Sequence, residues 1–353
     1  MQSQLRTQRV LWLFLAISLV LGCFGLTERH NPQLLVWLAQ QLGAPVKAQA
    51  EPTTLRFAVI GDYGDDSVEE ASVANLVRNW QPDLIATVGD NNYPDGSATT
   101  IDTNIGQYFY RYIYPYKGAY GTTKTGPNHF FPALGNHDWQ AISCAGTTCT
   151  GAYFNYFTLP GNERYYDFEE GPVHFFFIDS DPREPDGRTS TSVQATWLHD
   201  KLAASTAAWN LVFMHHPPYS SGEEHGSTLA TQWPYAQWGA DAVLAGHDHT
   251  YERIIVDNFP YFVDGLGQEY RAFGAAVPGS VVRYNSGVGA MLVDANPVTI
   301  KFQFINVNKK VIDSYSLTNS FGVATPSITL VPTATPTPIV TATPTRPREA
   351  TRP

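Results

Sequence analysis

The stretch Leu84-Ile85-Ala86-Thr87-Val88-Gly89-Asp90-Asn91-Asn92-Tyr93 decides how the rest of the chain is read. Its first five residues are a short apolar run of the kind a buried strand requires, and Gly89 then opens a loop that carries a carboxylate. A carboxylate just past the carboxyl end of a strand stands where open α/β sheets place their chemistry. The two oxygens of Asp90 can bridge two cations, and Tyr93, three residues on, can bring a phenolate to one of them.

The same form recurs on both sides of this stretch. Residues 55–60 read as a strand running into Gly61-Asp62-Tyr63-Gly64. Between the two strands, residues 67–80 read as an amphipathic helix. Ser67 is its cap, Glu69 and Glu70 lie in its first turn, and Val73, Leu76, Val77 and Trp80 form its buried stripe. A β-α-β unit of this kind makes its strands parallel and brings Asp62 and Asp90 to one edge. Downstream, 130–134 leads into Gly135-Asn136-His137-Asp138 and 173–178 into Asp179, which reads as structural. Residues 211–214 lead into His215-His216-Pro217, and 242–245 into Gly246-His247-Asp248-His249. Residues 192–204 read as a second helix, and 291–293, 299–305 and 311–317 alternate as antiparallel strands. The Tyr-rich region 91–128 reads as an aromatic-packed helix and loop over the site, with a carbohydrate-stacking face as the alternative.

Composition narrows the function. The chain carries a net charge of −10, but residues 1–50 hold +3 and 326–353 hold +2, leaving the middle at −15. Such a domain has no electrostatic footprint for nucleic acid. If it handles anions, positive charge must be supplied locally, as bound cations do. Arg6 and Arg9 precede an apolar run over 10–26, the form of an export signal. Three outcomes stay open for it: cleavage after Ala48-Gln49-Ala50, lipidation at Cys23, or retention as an N-terminal anchor against the membrane. Each places the chain outside the cytoplasm, whether secreted, periplasmic or at the cell surface. Residues 326–353, rich in Thr and Pro, cannot bury a core and read as a disordered or extended tail. That leaves 51–325, about 275 residues, as one large α/β domain. Cys144 and Cys149 are expected to pair in an oxidising compartment, with two free loop thiols as the alternative.

Asp62, Asp90 with Tyr93, Asn136, His215, and His247 with His249 form a mixed nitrogen and oxygen donor set without a thiolate. That set suits iron, manganese or zinc rather than a calcium loop. It is large enough for two ions and too large for one. Two ions about 3.5–4 Å apart, joined by Asp90, make a hydrolytic centre.

Taken in order, Gly61-Asp62-Tyr63-Gly64, Gly89-Asp90-Asn91-Asn92-Tyr93, Gly135-Asn136-His137-Asp138, Met214-His215 and Gly246-His247-Asp248-His249 resemble the five motifs of the calcineurin-like metallophosphoesterases. Tyr93, and the run from Gly246 to Arg253, resemble the purple acid phosphatase branch in its compact form. The resemblance covers about residues 55–318. It implies an α/β fold, a sandwich of two mixed β-sheets flanked by helices. It implies two metal ions: Fe(III) held by Asp62, Asp90, Tyr93 and His249, and Fe(II), Zn(II) or Mn(II) held by Asp90, Asn136, His215 and His247. The implied activity is a secreted or surface-attached phosphatase in which a metal hydroxide attacks phosphorus in line, on a phosphate-ester small molecule or phosphoprotein. A general acid must then protonate the leaving group. His137 is the first candidate, with Asp138 holding its proton. His225, in Glu224-His225-Gly226, resembles a second active-site histidine, and His216 is a third candidate. A phosphodiesterase or nucleotidase preference stays open. A non-catalytic surface-binding protein is the alternative from a different class.

Overall fold

The computed structural model describes residues 54–122 and 126–319. The export or anchoring segment 1–50, with Cys23, and the Thr/Pro-rich segment 326–353 lie outside the described residues.

The opening unit follows from its sequence. Strand β1 (Leu55–Ile60), helix α1 (Val68–Trp80) and strand β2 (Leu84–Thr87) form a parallel β-α-β unit, with Phe57 beside Leu84. The Ser67 hydroxyl accepts the Glu70 N–H at 3.1 Å. The Glu70 carboxylate reaches back to the N–H groups of Asp65 and Asp66 at 2.9 and 2.7 Å. These reciprocal bonds satisfy donors that the start of a helix otherwise leaves unpaired. Strand β3 (Phe130–Pro132) adds in parallel to β2. Strands β4 (Ile142–Ala145) and β5 (Thr148–Gly151) make a separate hairpin in which Cys144 and Cys149 face each other and are disulfide-bonded, as expected.

The second half builds a second sheet and completes the first. Strands β6 (Tyr166–Glu170) and β7 (Val173–Phe177) pair antiparallel. Helix α2 (Val193–Ala204), capped by Ser192, leads to β8 (Trp209–Phe213) and then β9 (Ala242–Ala245). Strands β10 (Tyr251–Val256), β11 (Phe259–Asp264) and β12 (Ser280–Tyr284) follow. Strands β13 (Gly289–Ala295), β14 (Thr299–Asn306) and β15 (Val311–Thr318) close the chain as the antiparallel run read from their alternation. The sheets have orders β15-β14-β13-β1-β2-β3 and β12-β10-β11-β9-β8-β7-β6. Both mix parallel and antiparallel pairs, as the sandwich requires.

Strands β10 to β12 lie where no strand is expected from the sequence. The turn between β10 and β11 is Asp257-Asn258, with both residues at positive φ, 51° and 64°. A two-residue turn of that kind matches the twist of a hairpin. Its signal is weak in sequence because neither residue is glycine, and because β10 and β11 do not alternate apolar with polar. Among the described residues of region 91–128, one short helical stretch lies near 102–109. Its tyrosines are largely turned inward: Tyr116 is buried, and Tyr108, Tyr110 and Tyr112 pack on the core. The packed reading therefore holds there over the stacking face.

The sheets meet through aromatic rings. Phe57 on β1 lies 5.0 Å from Phe175 on β7, and Tyr251 on β10 lies 4.2 Å from Phe304 on β14. Helix α2 covers the opposite face of the second sheet with Ala195, Leu198 and Leu202. The first sheet carries Leu76 of α1 against Leu292 and Ile305. This explains why β7, Val-His-Phe-Phe-Phe, is buried along both faces and reads as a continuous run. Phe175 is fully buried and also stacks on Phe168 at 4.8 Å. Replacing it with alanine should cost about 3–5 kcal/mol, read from the shift in denaturant midpoint. A cost below about 1 kcal/mol would contradict a shared inter-sheet core.

Candidate metal centre

Five strand ends, two from the first sheet's parallel pair, one from β3 and two from the second sheet, point their loops at one place. Asp62 follows β1, Asp90 follows β2, Asn136 follows β3, His215 follows β8 and His247 follows β9. Asp62, Asp90 and His247 have φ of 52°, 51° and 72°. The chain thus turns sharply as soon as each strand ends, which re-aims these side chains inward. Left-handed backbone at residues other than glycine is mildly strained, and such strain gathers at functional sites.

Asp90 is the centre of the arrangement. Its Oδ1 accepts the His137 N–H at 2.8 Å. Its Oδ2 accepts the Tyr93 hydroxyl at 3.2 Å and lies 3.2 Å from His215 Nε2. One oxygen therefore faces two groups of donors. On one side, Tyr93 Oη is 3.3 Å from His249 Nε2, which is 3.5 Å from Asp62 Oδ1. On the other, His215 Nε2 is 3.0 Å from Asn136 Oδ1 and 3.2 Å from His247 Nδ1. All seven predicted ligands come together here. The donor atoms of Asp90, His215 and His247 lie within 4.8 Å of one another.

The surroundings suit a cation. His215 Nδ1 is 2.8 Å from the Val88 carbonyl. Donating that N–H leaves the lone pair of Nε2 directed at the cluster. Burial and the charge of His215 hold His247 far below its ordinary value, so it is neutral, as a ligand must be. Burial and the charges of Asp90 and Asp62 raise the Tyr93 phenol well above 10, so a phenolate there needs positive charge beside it. For His215, burial works against protonation, but Asp90 and Asp62 outweigh it and lift it to about 10. For Asp90, burial works upward, but His215 and His137 hold it at about 2. Without metal, a proton on His215 occupies the place where the field favours a cation.

The motif glycines are explained by close approach. A side-chain carbon on Gly135 would sit 2.2 Å from Asp90 Oδ1, and one on Gly246 would sit 2.4 Å from Asp62 Oδ2. Each ligand loop thus leaves room for the ligand of a neighbour.

A cavity of about 280 Å³ opens over the cluster. Asp90, Tyr93, Asn136, His137, His225, His247 and His249 are among its lining residues, which also include Glu269 and Arg271. His137 turns Nδ1 to the Pro94 carbonyl, and its Nε2 is 3.9 Å from Asp90 Oδ2. The ring of His225 lies on that of His247, with centroids 4.0 Å apart. Asp138 is not where the sequence places it. Its buried carboxylate accepts from Gly135 N at 2.9 Å and Asn91 Nδ2 at 2.8 Å, away from the His137 ring. Burial and the charge of Asp90 push it up to about 7. It ties the 89–93 loop to the 135–138 loop rather than tuning an acid. His216 is buried, its Nδ1 2.9 Å from Ser180 Oγ, and burial with the charge of His215 keeps it neutral. Asp179 is structural as expected, accepting the Trp139 indole N–H at 2.8 Å.

Two contributors escape a sequence reading. Asp248 takes the Ser220 hydroxyl and the Gly226 N–H, the latter at 3.0 Å, so it holds the loop that presents His225. Glu269 brings a carboxylate oxygen within 2.9 Å of His249 Nδ1 without hydrogen-bond geometry, so it is the nearby charge, not a directed bond, that favours a proton on Nδ1 and leaves Nε2 for Asp62 and Tyr93. Glu269 sits in an unpatterned stretch between β11 and β12, and only the fold brings it to His249.

Glu269→Gln should lower metal affinity about 10- to 100-fold, measured by competition with a chelator. An unchanged affinity would remove Glu269 from the support of His249. A second outcome concerns pH. Since His215 is raised above its ordinary 6.5, its share of stability in the metal-stripped chain is complete below pH 6.5 and lost as pH rises toward 10. The melting-temperature gain on adding Zn(II) should therefore grow across that window. A gain that stays flat would show that His215 does not exchange its proton for metal.

A family model described as calcineurin-like phosphoesterase matches residues 55–251, the span that holds all seven candidate ligands. Purple acid phosphatase 7 of Arabidopsis thaliana is 26% identical over 340 residues, which cover 87% of this chain and 95% of that protein. Tartrate-resistant acid phosphatase type 5 of Homo sapiens is 24% identical over 284 residues, covering 71% and 85%. Among solved structures, a purple acid phosphatase from yellow lupin (Lupinus luteus) seeds aligns with a TM-score of 0.59 at 16% identity, over 81% of this chain and 57% of that one. GAP50, described as the anchor in the inner membrane complex of Plasmodium, aligns with a TM-score of 0.56 at 19% identity, over 76% and 89%. With its motifs inside a match that spans more than half its length, the chain belongs to the calcineurin-like phosphoesterase family, on the purple acid phosphatase-like side.

Proposed function

We propose that this phosphoesterase is an extracytoplasmic binuclear metal phosphatase that hydrolyses phosphomonoesters. The observation that carries the reading is the position of Asp90, whose Oδ2 faces Tyr93 on one side and His215 on the other. Asp62, Tyr93 and His249 would complete one ion, ferric by analogy with the branch. Asn136, His215 and His247 would complete the other, Fe(II), Zn(II) or Mn(II). Bound there, the ions would offset the charge of the phosphate and supply a nucleophile at mild pH.

The remaining work falls to the chain. His137 has Nδ1 occupied by Pro94, so Nε2 is the atom it offers to the pocket. It would give its proton to the leaving oxygen, or hold a phosphate oxygen in place. His225, held over His247 by the Asp248 loop, would contact the same group from the other side. The partners are phosphate esters, small molecules or phosphoproteins. The names of the plant and human relatives, acid phosphatases both, favour the monoester. Export is supported by the N-terminal sequence and by the Cys144–Cys149 bond. Among the described residues, no helix is long and apolar enough to cross a membrane. Attachment, where it occurs, is assigned to residues 1–50. The Thr/Pro-rich 326–353 segment is read as a tail beyond the 51–325 domain.

The second reading is a non-catalytic surface-binding protein, and GAP50, described as an anchor, shares the fold. The test is metal content, visible absorbance and phenyl phosphate turnover on the purified full chain, with a diaryl phosphate for comparison. About two metals per chain and faster monoester turnover are expected. Tyr93→Phe should remove a visible band in the oxidised, iron-loaded protein. His137→Ala should lower kcat roughly 10²- to 10⁴-fold while metal content stays the same. A folded, metal-loaded chain with no turnover of either ester would overturn the reading in favour of the surface-binding protein.

A further inference from the structure

The far wall of the cavity carries three charged side chains that are not themselves candidate ligands: Glu224, Glu269 and Arg271. Arg271 is clamped between the two carboxylates. Its Nη1 is 2.5 Å from Glu224, and its Nη2 is 2.6 Å from Glu269, which its Nε also faces at 3.2 Å. The clamp joins two loops whose backbones are already tied together. Arg271 N–H donates to the His249 carbonyl at 2.8 Å, Glu223 N–H to the Ala272 carbonyl at 3.1 Å, and Gly222 bridges Phe273. These ties fix the Arg271 backbone at the cavity wall, and the two carboxylates are what hold its guanidinium. Its guanidinium is the kind of planar fork that binds phosphate well, but here that fork is directed at carboxylates. The three charges together leave this wall at −1.

We propose that Glu224 and Glu269 mask Arg271 and so set the substrate class. On this inference, which rests on the phosphatase reading above, the site takes monophosphate esters with uncharged leaving groups. It discriminates against leaving groups that carry further phosphate, such as nucleoside diphosphates or pyrophosphate. The phosphate being cleaved sits over the metal ligands. A second phosphate must lie toward the outer wall, where it meets two carboxylates around a cation that is already paired. All three side chains are nearly half exposed. Solvent softens their field, so the discrimination is graded rather than absolute.

The test compares binding of inorganic phosphate and pyrophosphate to the metal-loaded full chain by calorimetry, for wild type, Glu224→Gln and Glu224→Gln/Arg271→Gln. In Glu224→Gln, the affinity for pyrophosphate relative to phosphate should rise about fivefold, the effect of one unit charge removed several ångströms away in a half-solvated site. The double variant should lose that gain, because the unmasked guanidinium is what receives the second phosphate. A ratio unchanged in Glu224→Gln overturns the inference, and so does an equal gain in the double variant. Turnover of phenyl phosphate by the wild type is read separately. Its absence would refute the phosphatase reading, while the binding ratio would still decide whether Arg271 is masked.

Discussion

Two carboxylates, Asp62 and Asp90, are buried side by side at the ends of adjacent strands, and the rest of the site answers that constraint. Each is almost wholly removed from water. A buried anion is costly unless it is paired, and a buried anion pair more so. The chain meets the cost in part with backbone N–H groups: His137 donates to Asp90, and His247 to Asp62 at 2.9 Å. It meets more of it by drawing His215 against Asp90 Oδ2 and His249 against Asp62 Oδ1. What remains is a negative field enclosed by nitrogen and oxygen donors, which is a description of a site that needs cations. The close packing of these loops is what excludes side chains at Gly135 and Gly246.

The architecture makes this crowding achievable. Parallel neighbours end on the same edge of a sheet, so β1, β2 and β3 deliver their loops together, and β8 and β9 do the same from the second sheet. Packing the sheets face to face through rings such as Phe57 and Phe175 brings the two sets of strand ends into contact. The antiparallel strands β13 to β15 extend the first sheet without contributing a ligand. The floor of the candidate metal centre thus comes from strand ends, while its outer wall comes from the loops around 220–226 and 265–279. That division separates the candidate ligands, which the strand ends carry, from the charged side chains of the wall, which the loops carry.

Much of this was legible in sequence because strand ends have a local signature. An apolar run, a glycine and then a candidate ligand can be recognised within six or seven residues, as at 84–90 and 242–247. The helix at 68–80 was equally plain from Ser67 and the spacing of its apolar positions. The strands β10 and β11 were not plain, since their hairpin turns on Asp257-Asn258 and their buried faces do not alternate. Asp138 misled for a related reason. Adjacency in sequence to His137 suggested a shared proton, but a tight turn sends neighbouring side chains in different directions.

The sequence by itself determined the candidate ligands, their order and the strands that carry them, because each is encoded within a few consecutive residues. It also determined that the site has no thiolate and that the domain is acidic. Only the tertiary structure decided which oxygen of Asp90 faces both donor groups, that Glu269 lies beside His249, that Asp248 holds the His225 loop, and that Arg271 lies between Glu224 and Glu269. Most of those relations join residues twenty or more positions apart, from Asp248 with Gly226 to Asp90 with His215. No local pattern specifies such pairs, and they exist once the two sheets have packed and fixed where each loop ends.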